Sequence, residues 1–194
     1  MKTVAIAGGI GSGKSVVSQL LRVMGYPVYD CDSRAKVLMD TDAELKDRLI
    51  EIFGSAAVVD GIINRPYIAE VVFKETRMLN LLNSIVHPAV VADFEQWAAR
   101  QASGLVFVET AILQESGLDA VVDVVWEVTA DEQCRIRRVM SRNGLSEQVV
   151  RSRMASQRGI KELALPIERI VNNGQQSVLV QVSKLVKEYD SVAV

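Results

Sequence analysis

Apolar positions along the chain alternate between two kinds of stretch. Short unbroken runs occur at Val4-Ala5-Ile6-Ala7, Val28-Tyr29 and Leu105-Val106-Phe107-Val108, and Val121–Val128 is broken only by Asp123 and Glu127. Between them, apolar residues recur every three or four positions, as in Val17, Leu20, Leu21, Met24 and in Leu79, Leu82, Ile85, Val86. Unbroken runs fit strands of a parallel sheet covered on both faces, and the wider spacing fits helices. The reading is β1 over about 2–7, a helix through Met24 stopped at Gly25-Tyr26-Pro27, and a short strand at Val28-Tyr29 running into Asp30-Cys31-Asp32. Helices follow over about 33–39 and 42–53, with a turn at Asp60-Gly61. Asn64 and Pro66 open another helix; periodicity then runs to Pro88, which starts a new helix to about Ala102 with Trp97 on its buried side. Strands at 105–109 and 121–128, helices over 131–142 and 146–158, a strand at 169–172 and a helix over 175–189 complete the chain. The predicted class is α/β: a parallel sheet core flanked by helices, in one domain. The core takes about 1–39 and 104–194, an almost wholly helical lobe is inserted over about 40–103, and a helical lid covers about 131–158.

Between the first strand and its helix stands Gly8-Gly9-Ile10-Gly11-Ser12-Gly13-Lys14-Ser15, which is G-x-x-x-x-G-K-[ST] in the strand–loop–helix setting that its chemistry needs. Glycines let the backbone N–H groups of Gly9, Gly11, Ser12 and Gly13 turn inward, and the helix N-terminus adds to that anion site. Lys14 is placed for the β- and γ-phosphates and the Ser15 hydroxyl for Mg²⁺, so the loop binds a nucleoside triphosphate, ATP or GTP.

Composition narrows the rest. With 194 residues, 49% apolar, and a net charge of -2, the chain has a sizeable core and no basic signature for nucleic acid. The apolar start is broken by glycines and Lys14 before it could act as a signal peptide, and no run is fit to span a membrane. Cys31, Cys134 and His87 make an improbable metal set, and two reduced thiols suit the cytoplasm.

Carboxylates at strand ends are the next candidates, because ligands of open α/β sheets sit beyond the carboxyl ends of the strands. Asp30 or Asp32 either meets the transferred phosphoryl group, taking a proton or holding a metal-bound water, or serves the turn, with Asp32 as a helix cap. Glu109 ends its strand as an outer-shell Mg²⁺ acid would, and Glu115 follows as a further acid or a solvated cap. Arg135, Arg138 and Arg142 share one helix face, Arg137 points elsewhere, and Arg151, Arg153 and Arg158 follow. With a P-loop present, such a cluster reads as a lid over the triphosphate; the alternative is a solvated face paired with Asp131 and Glu132. His87 reads as a structural group between two helices or as a substrate contact.

Laid out together, these residues resemble the dephospho-coenzyme A kinases over nearly the whole chain. The family's T-G-G-I-G-S-G-K-S-T corresponds to Ala7 through Val16, its D-A-D-x-x-x-R to Asp30-Cys31-Asp32 with Arg34 slightly early, and its L-x-x-I-x-H-P to Leu82 through Pro88. Its D-x-P-L-L-F-E corresponds to Glu109 through Glu115, its lid to Gln133, Arg138 and Arg142 with Gln157 beyond, and its I-x-N-x-G to Ile170 through Gly174. Ala7 and Val16 stand where the family has threonine, Glu109 where it has aspartate and Ala111 where it has proline; Val16 keeps its N–H for the α-phosphate. The resemblance implies ATP- and Mg²⁺-dependent phosphorylation of the ribose 3′-hydroxyl of dephospho-CoA, the last step of coenzyme A synthesis. It makes Asp32 the base or hydroxyl-orienting group and Lys14, Arg138 and Arg142 the phosphoryl-stabilising cations. It puts Asn172 near the adenine and Asp30, His87, Glu115 and the 40–103 lobe at the acceptor. Dephospho-CoA and ATP are then the partners, with no nucleic acid or membrane, and a monomer is compatible with the sequence. A kinase for another small acceptor would share the loop and lid but not the Asp30/Asp32 and His87-Pro88 pairing. A GTP switch would carry N-K-x-D and an ABC-type ATPase L-S-G-G-Q, and neither string occurs.

Overall fold

The computed structural model describes residues 1–157, 159–160 and 163–190. They fall into two compact units, Met1–Asp30 with Ala98–Val194, and Cys31–Trp97.

The first unit is built on a five-stranded parallel sheet. Its strands are β1 (Lys2–Ala7), β2 (Val28–Asp30), β5 (Leu105–Glu109), β6 (Val124–Thr129) and β7 (Ile167–Val171), in the order β2-β5-β1-β6-β7. The predicted α/β class holds. Strands β1 and β5 are covered on both faces, as their unbroken apolar runs require. Helices α1 (Lys14–Val23) and α8 (Val178–Asp190) lay Val17, Leu21, Val182, Leu185 and Val186 against Ile6, Phe107, Trp126 and Ile170. Through this layer runs an aromatic chain, Tyr26–Phe107–Trp126–Tyr189, with ring centroids 5.7, 5.1 and 6.1 Å apart. A buried ring of this kind contributes about 4–6 kcal/mol of transfer free energy before ordering entropy is set against it. Burial, then the Glu168 carboxylate that accepts its hydroxyl at 2.9 Å, push the Tyr189 phenol up to about 12.

Three expected boundaries of this unit move. The strand expected over 121–128 begins at Val124, because Asp123 is occupied otherwise: its carboxylate accepts the Thr3 N–H at 2.6 Å and the Thr3 hydroxyl at 2.8 Å. The last strand begins at Ile167, not 169, since an edge strand needs no unbroken apolar run; Glu168 and Arg169 pair outward with Tyr189 and Glu127. The final helix starts at Val178 rather than 175.

The second unit holds α2 (Cys31–Thr41), α3 (Ala43–Phe53), α4 (Arg65–Lys74) and most of α5 (Thr76–Ala99). Asp42 caps α3 by accepting the Leu45 N–H at 2.9 Å, and Asn64 caps α4 by accepting that of Tyr67 at 3.3 Å, with Pro66 just inside as expected. The stretch is less purely helical than predicted. Val58–Val59 (β3) and Ile62–Ile63 (β4) pair antiparallel across Asp60 (φ 51) and Gly61 (φ 77), the double left-handed turn of a tight hairpin. The greater correction concerns His87-Pro88, which lies inside one continuous helix instead of joining two. Ile85, Val86, Val90, Phe94 and Ala98 form a buried seam along α5 on both sides of the proline. Burying such side chains, at about 1.5–3 kcal/mol each, outweighs the roughly 3 kcal/mol that an interior proline costs. Phe94 is the buried aromatic of this helix; Trp97 is half-buried and stacks on it at 6.2 Å.

Candidate active site

Parallel pairing sets one end of the first unit. Ile6 is in register with Glu109, Glu109 with Asp30, and Ala7 with Glu127, so the carboxyl ends of four strands are aligned. The glycine loop leaves β1 at that end and enters α1 at Lys14. Gly13, the residue before α1, has φ +99, and a Cβ there would lie 2.1 Å from Asn172 Nδ2, so both conformation and space demand glycine. Lys14 Nζ donates to the Gly8 carbonyl at 2.8 Å, and Ser15 is exposed in the first turn of α1. Val16 is likewise exposed.

Two flanks hold the loop. On one, Asn172, just past β7, donates through Nδ2 to the Ser12 carbonyl at 2.9 Å. Arg138, from α6 (Glu132–Asn143), donates to the Gly11 and Ser12 carbonyls at 3.4 Å each and to Asn172 Oδ1 at 3.2 Å. On the other, Arg135 Nε donates to the Ile10 carbonyl at 2.9 Å, while Ile10 N–H donates to Gln157 Oε1 at 2.7 Å. Gln157 follows α7 (Glu147–Ser156), so both expected lid helices reach the loop through side chains. Ile136, Val139 and Val150 pack α6 on α7, with Ile10 against them.

Beside the second flank lies a cavity of about 400 Å³. Gly8, Gly9, Ser12, Glu115, Glu127 and Arg135 are among its lining residues. Glu109 and Asp30 end their strands in register, both partly buried. In the second unit, Asp32 is exposed in the first turn of α2, directly after β2, where Cys31 has already begun the helix. His87 is partly buried within α5, and this unit has its own cavity of about 320 Å³, lined in part by Arg48, Pro88 and Asp93.

The arginine cluster divides. Arg142 is exposed and bonds Asn143 Oδ1 at 3.0 Å, so it is not brought to the loop. Arg151 pairs with Glu132 and Glu147, the solvated alternative for that residue. Arg137 does point elsewhere, toward Cys134 Sγ, and Arg158 lies outside the described residues. What sequence reasoning left unassigned is the loop contact of Arg135 and that of Gln157. The three-residue step from Arg135 to Arg138 was the available signal, since both then address one loop.

This arrangement can bind a triphosphate through backbone N–H groups and Lys14, with carboxylates at neighbouring strand ends. The dephospho-CoA kinase family model matches residues 2–178. A dephospho-CoA kinase from Porphyromonas gingivalis is 43% identical over 164 residues, 84% of this chain and 81% of the relative. One from Salinibacter ruber is 39% identical over 177 residues, 89% of each. Among solved structures, TT1252 from Thermus thermophilus aligns with a TM-score of 0.81 at 33% identity over 96% of both chains. The dephospho-CoA kinase from Campylobacter jejuni shares the fold over the full length of both chains, with a TM-score of 0.67 at 21% identity. With the family model matched over nearly the whole chain and relatives at 43% and 39% identity, the chain belongs to the dephospho-CoA kinase family.

Proposed function

We propose that this protein transfers the γ-phosphoryl group of ATP to the ribose 3′-hydroxyl of dephospho-CoA, giving coenzyme A and ADP. The observation that carries the reading is the Gly8–Ser15 loop at the N-terminus of α1 on the central parallel strand, in a chain of this family. The acceptor oxygen forms a bond to the γ-phosphorus as the bond from that phosphorus to the bridging oxygen breaks; ADP leaves with the electron pair. Asp32 orients the 3′-hydroxyl and takes its proton. Lys14 and the lid arginines Arg138 and Arg142 neutralise the triphosphate, Arg142 after leaving Asn143. Backbone N–H groups of Gly9, Gly11, Ser12, Gly13 and Val16 cradle the phosphates. Asn172 lies toward the nucleotide base, and Asp30, His87 and Glu115 face the acceptor.

The donor set suits Mg²⁺. Mg²⁺ at a triphosphate takes most of its ligands from phosphates and water, so a single protein hydroxyl suffices. Ser15 would hold the ion and Glu109 would stand in its outer shell. When bound, Mg²⁺ neutralises charge on the β- and γ-oxygens. We place the reaction in the cytoplasm, which two cysteines outside any disulfide suit; among the described residues no helix is long and apolar enough to cross a membrane. Purified protein, Mg-ATP and a panel of small alcohol acceptors, read by mass spectrometry, test the reading. Dephospho-CoA should gain one phosphate; turnover of another acceptor in its place would overturn it.

A further inference from the structure

Arg135 is the lining arginine of the 400 Å³ cavity among the described residues; neither Arg138 nor Arg142 lines it. Its guanidinium lies on Gly9 so closely that a Cβ there would be 2.3 Å from Nη2 and 2.9 Å from Cζ. Its one side-chain hydrogen bond among the described residues, to the Ile10 carbonyl, uses Nε and anchors the group on the loop. That leaves the two Nη nitrogens as the planar fork that suits a phosphoryl group's oxygens. A second observation points to a ligand in the same place. The Ser12 hydroxyl, 1% exposed, has no hydrogen-bond partner among the described residues and lines this cavity. A buried hydroxyl without a partner is costly, and a polar ligand would satisfy it. Arg138 is disposed differently: its donors go to the Gly11 and Ser12 carbonyls and to Asn172, on the other flank.

We propose that Arg135 is the lid arginine that contacts the transferring phosphoryl group, and that Gly9 lacks a side chain to admit it. The inference rests on the kinase reading above. Charge on the equatorial oxygens is then met by a donor fork held to the loop that also holds the nucleotide, while Arg138 adds its charge to the triphosphate from the other flank.

Wild-type turnover of dephospho-CoA is measured first; its failure would sink the kinase reading. Nucleotide binding supplies a separate readout, the gain in ADP affinity when aluminium fluoride is added to mimic the moving group. Arg135→Ala and Arg135→Gln should lower kcat about 10²–10³-fold with KM for ATP within about threefold, and should lose that gain. Arg135→Lys should recover part of the rate, since it restores charge without the fork. Gly9→Ala should lower kcat in a protein that melts like wild type, because the methyl takes the guanidinium's place. A kcat within threefold of wild type in Arg135→Ala, or a rise in KM for ATP alone with the fluoride gain kept, would overturn the proposal.

Discussion

The two units place their candidate residues by different physics. In the first, pairing register decides: once β1 lies between β5 and β6, the loop, Glu109 and Glu127 share one end by geometry. The loop is then fixed by bonds between residues far apart in sequence, from Ile10 to Gln157 and from Ser12 to Asn172. In the second unit no sheet imposes an end. Its buried side chains outside α5 are few, among them Leu45, Leu49 and Phe53 on α3, Ala57, Ile63 of the hairpin and Ile68 on α4. Side-chain pairs add to them: Arg34 with Asp93, bidentate at 2.9 and 2.7 Å, and Arg65 with Asp40 at 2.6 Å. Asp32 sits in the first turn of α2 and His87 within α5, so helix phase sets where each lies along its element. A parallel sheet therefore makes chemistry predictable from topology, whereas a helical lobe can be reshaped without disturbing a motif.

Variants can strain that contrast. The largest effect is expected in the first unit: Lys14→Ala should lower kcat/KM by about 10³–10⁴-fold and weaken ATP binding together, because the proposed role puts its charge on the β- and γ-phosphates in both ground and transition state. Unchanged kinetics would remove the loop from the chemistry. Asp32→Asn carries the test into the second unit. It should lower kcat by about 10²–10³-fold while ATP affinity stays within threefold, because an amide keeps shape but cannot take a proton. A rate near wild type would leave Asp32 a first-turn residue of α2 and move the base elsewhere.

The smallest effect separates stability from function at the proline of α5. Pro88→Ala supplies an N–H for the Ser84 carbonyl and removes a ring clash, at the cost of a freer unfolded chain. A net gain of about 1–2 kcal/mol, read as a higher Tm, is expected, together with a higher KM for dephospho-CoA. A destabilised variant would mean that the proline ring itself is needed for the packing of α5.

The contrast also explains what was legible in the sequence. β1, its loop and α1 were readable because apolar run, glycines and helix phase agree over one short stretch. β5 was readable for the same local reason. Misreadings arose where a long-range partner overrides local pattern. Thr3 captures Asp123 and delays β6, and the buried seam of α5 carries helix through Pro88. The hairpin at Val58–Ile63 was visible only as its turn, since two-residue strands carry no periodicity. At the site, the arginine cluster was legible as a group but not one by one. Which of Arg135, Arg138 and Arg142 meets the loop depends on how α6 sits against Ile10.

The measurement that tests the central claim most directly is the position of the new phosphate. Product formed from Mg-ATP and dephospho-CoA is isolated, and phosphorus–proton correlation in its NMR spectrum identifies the ester. The account predicts a single phosphomonoester coupled to the ribose 3′ proton. A phosphate on any other oxygen, or none, would contradict it.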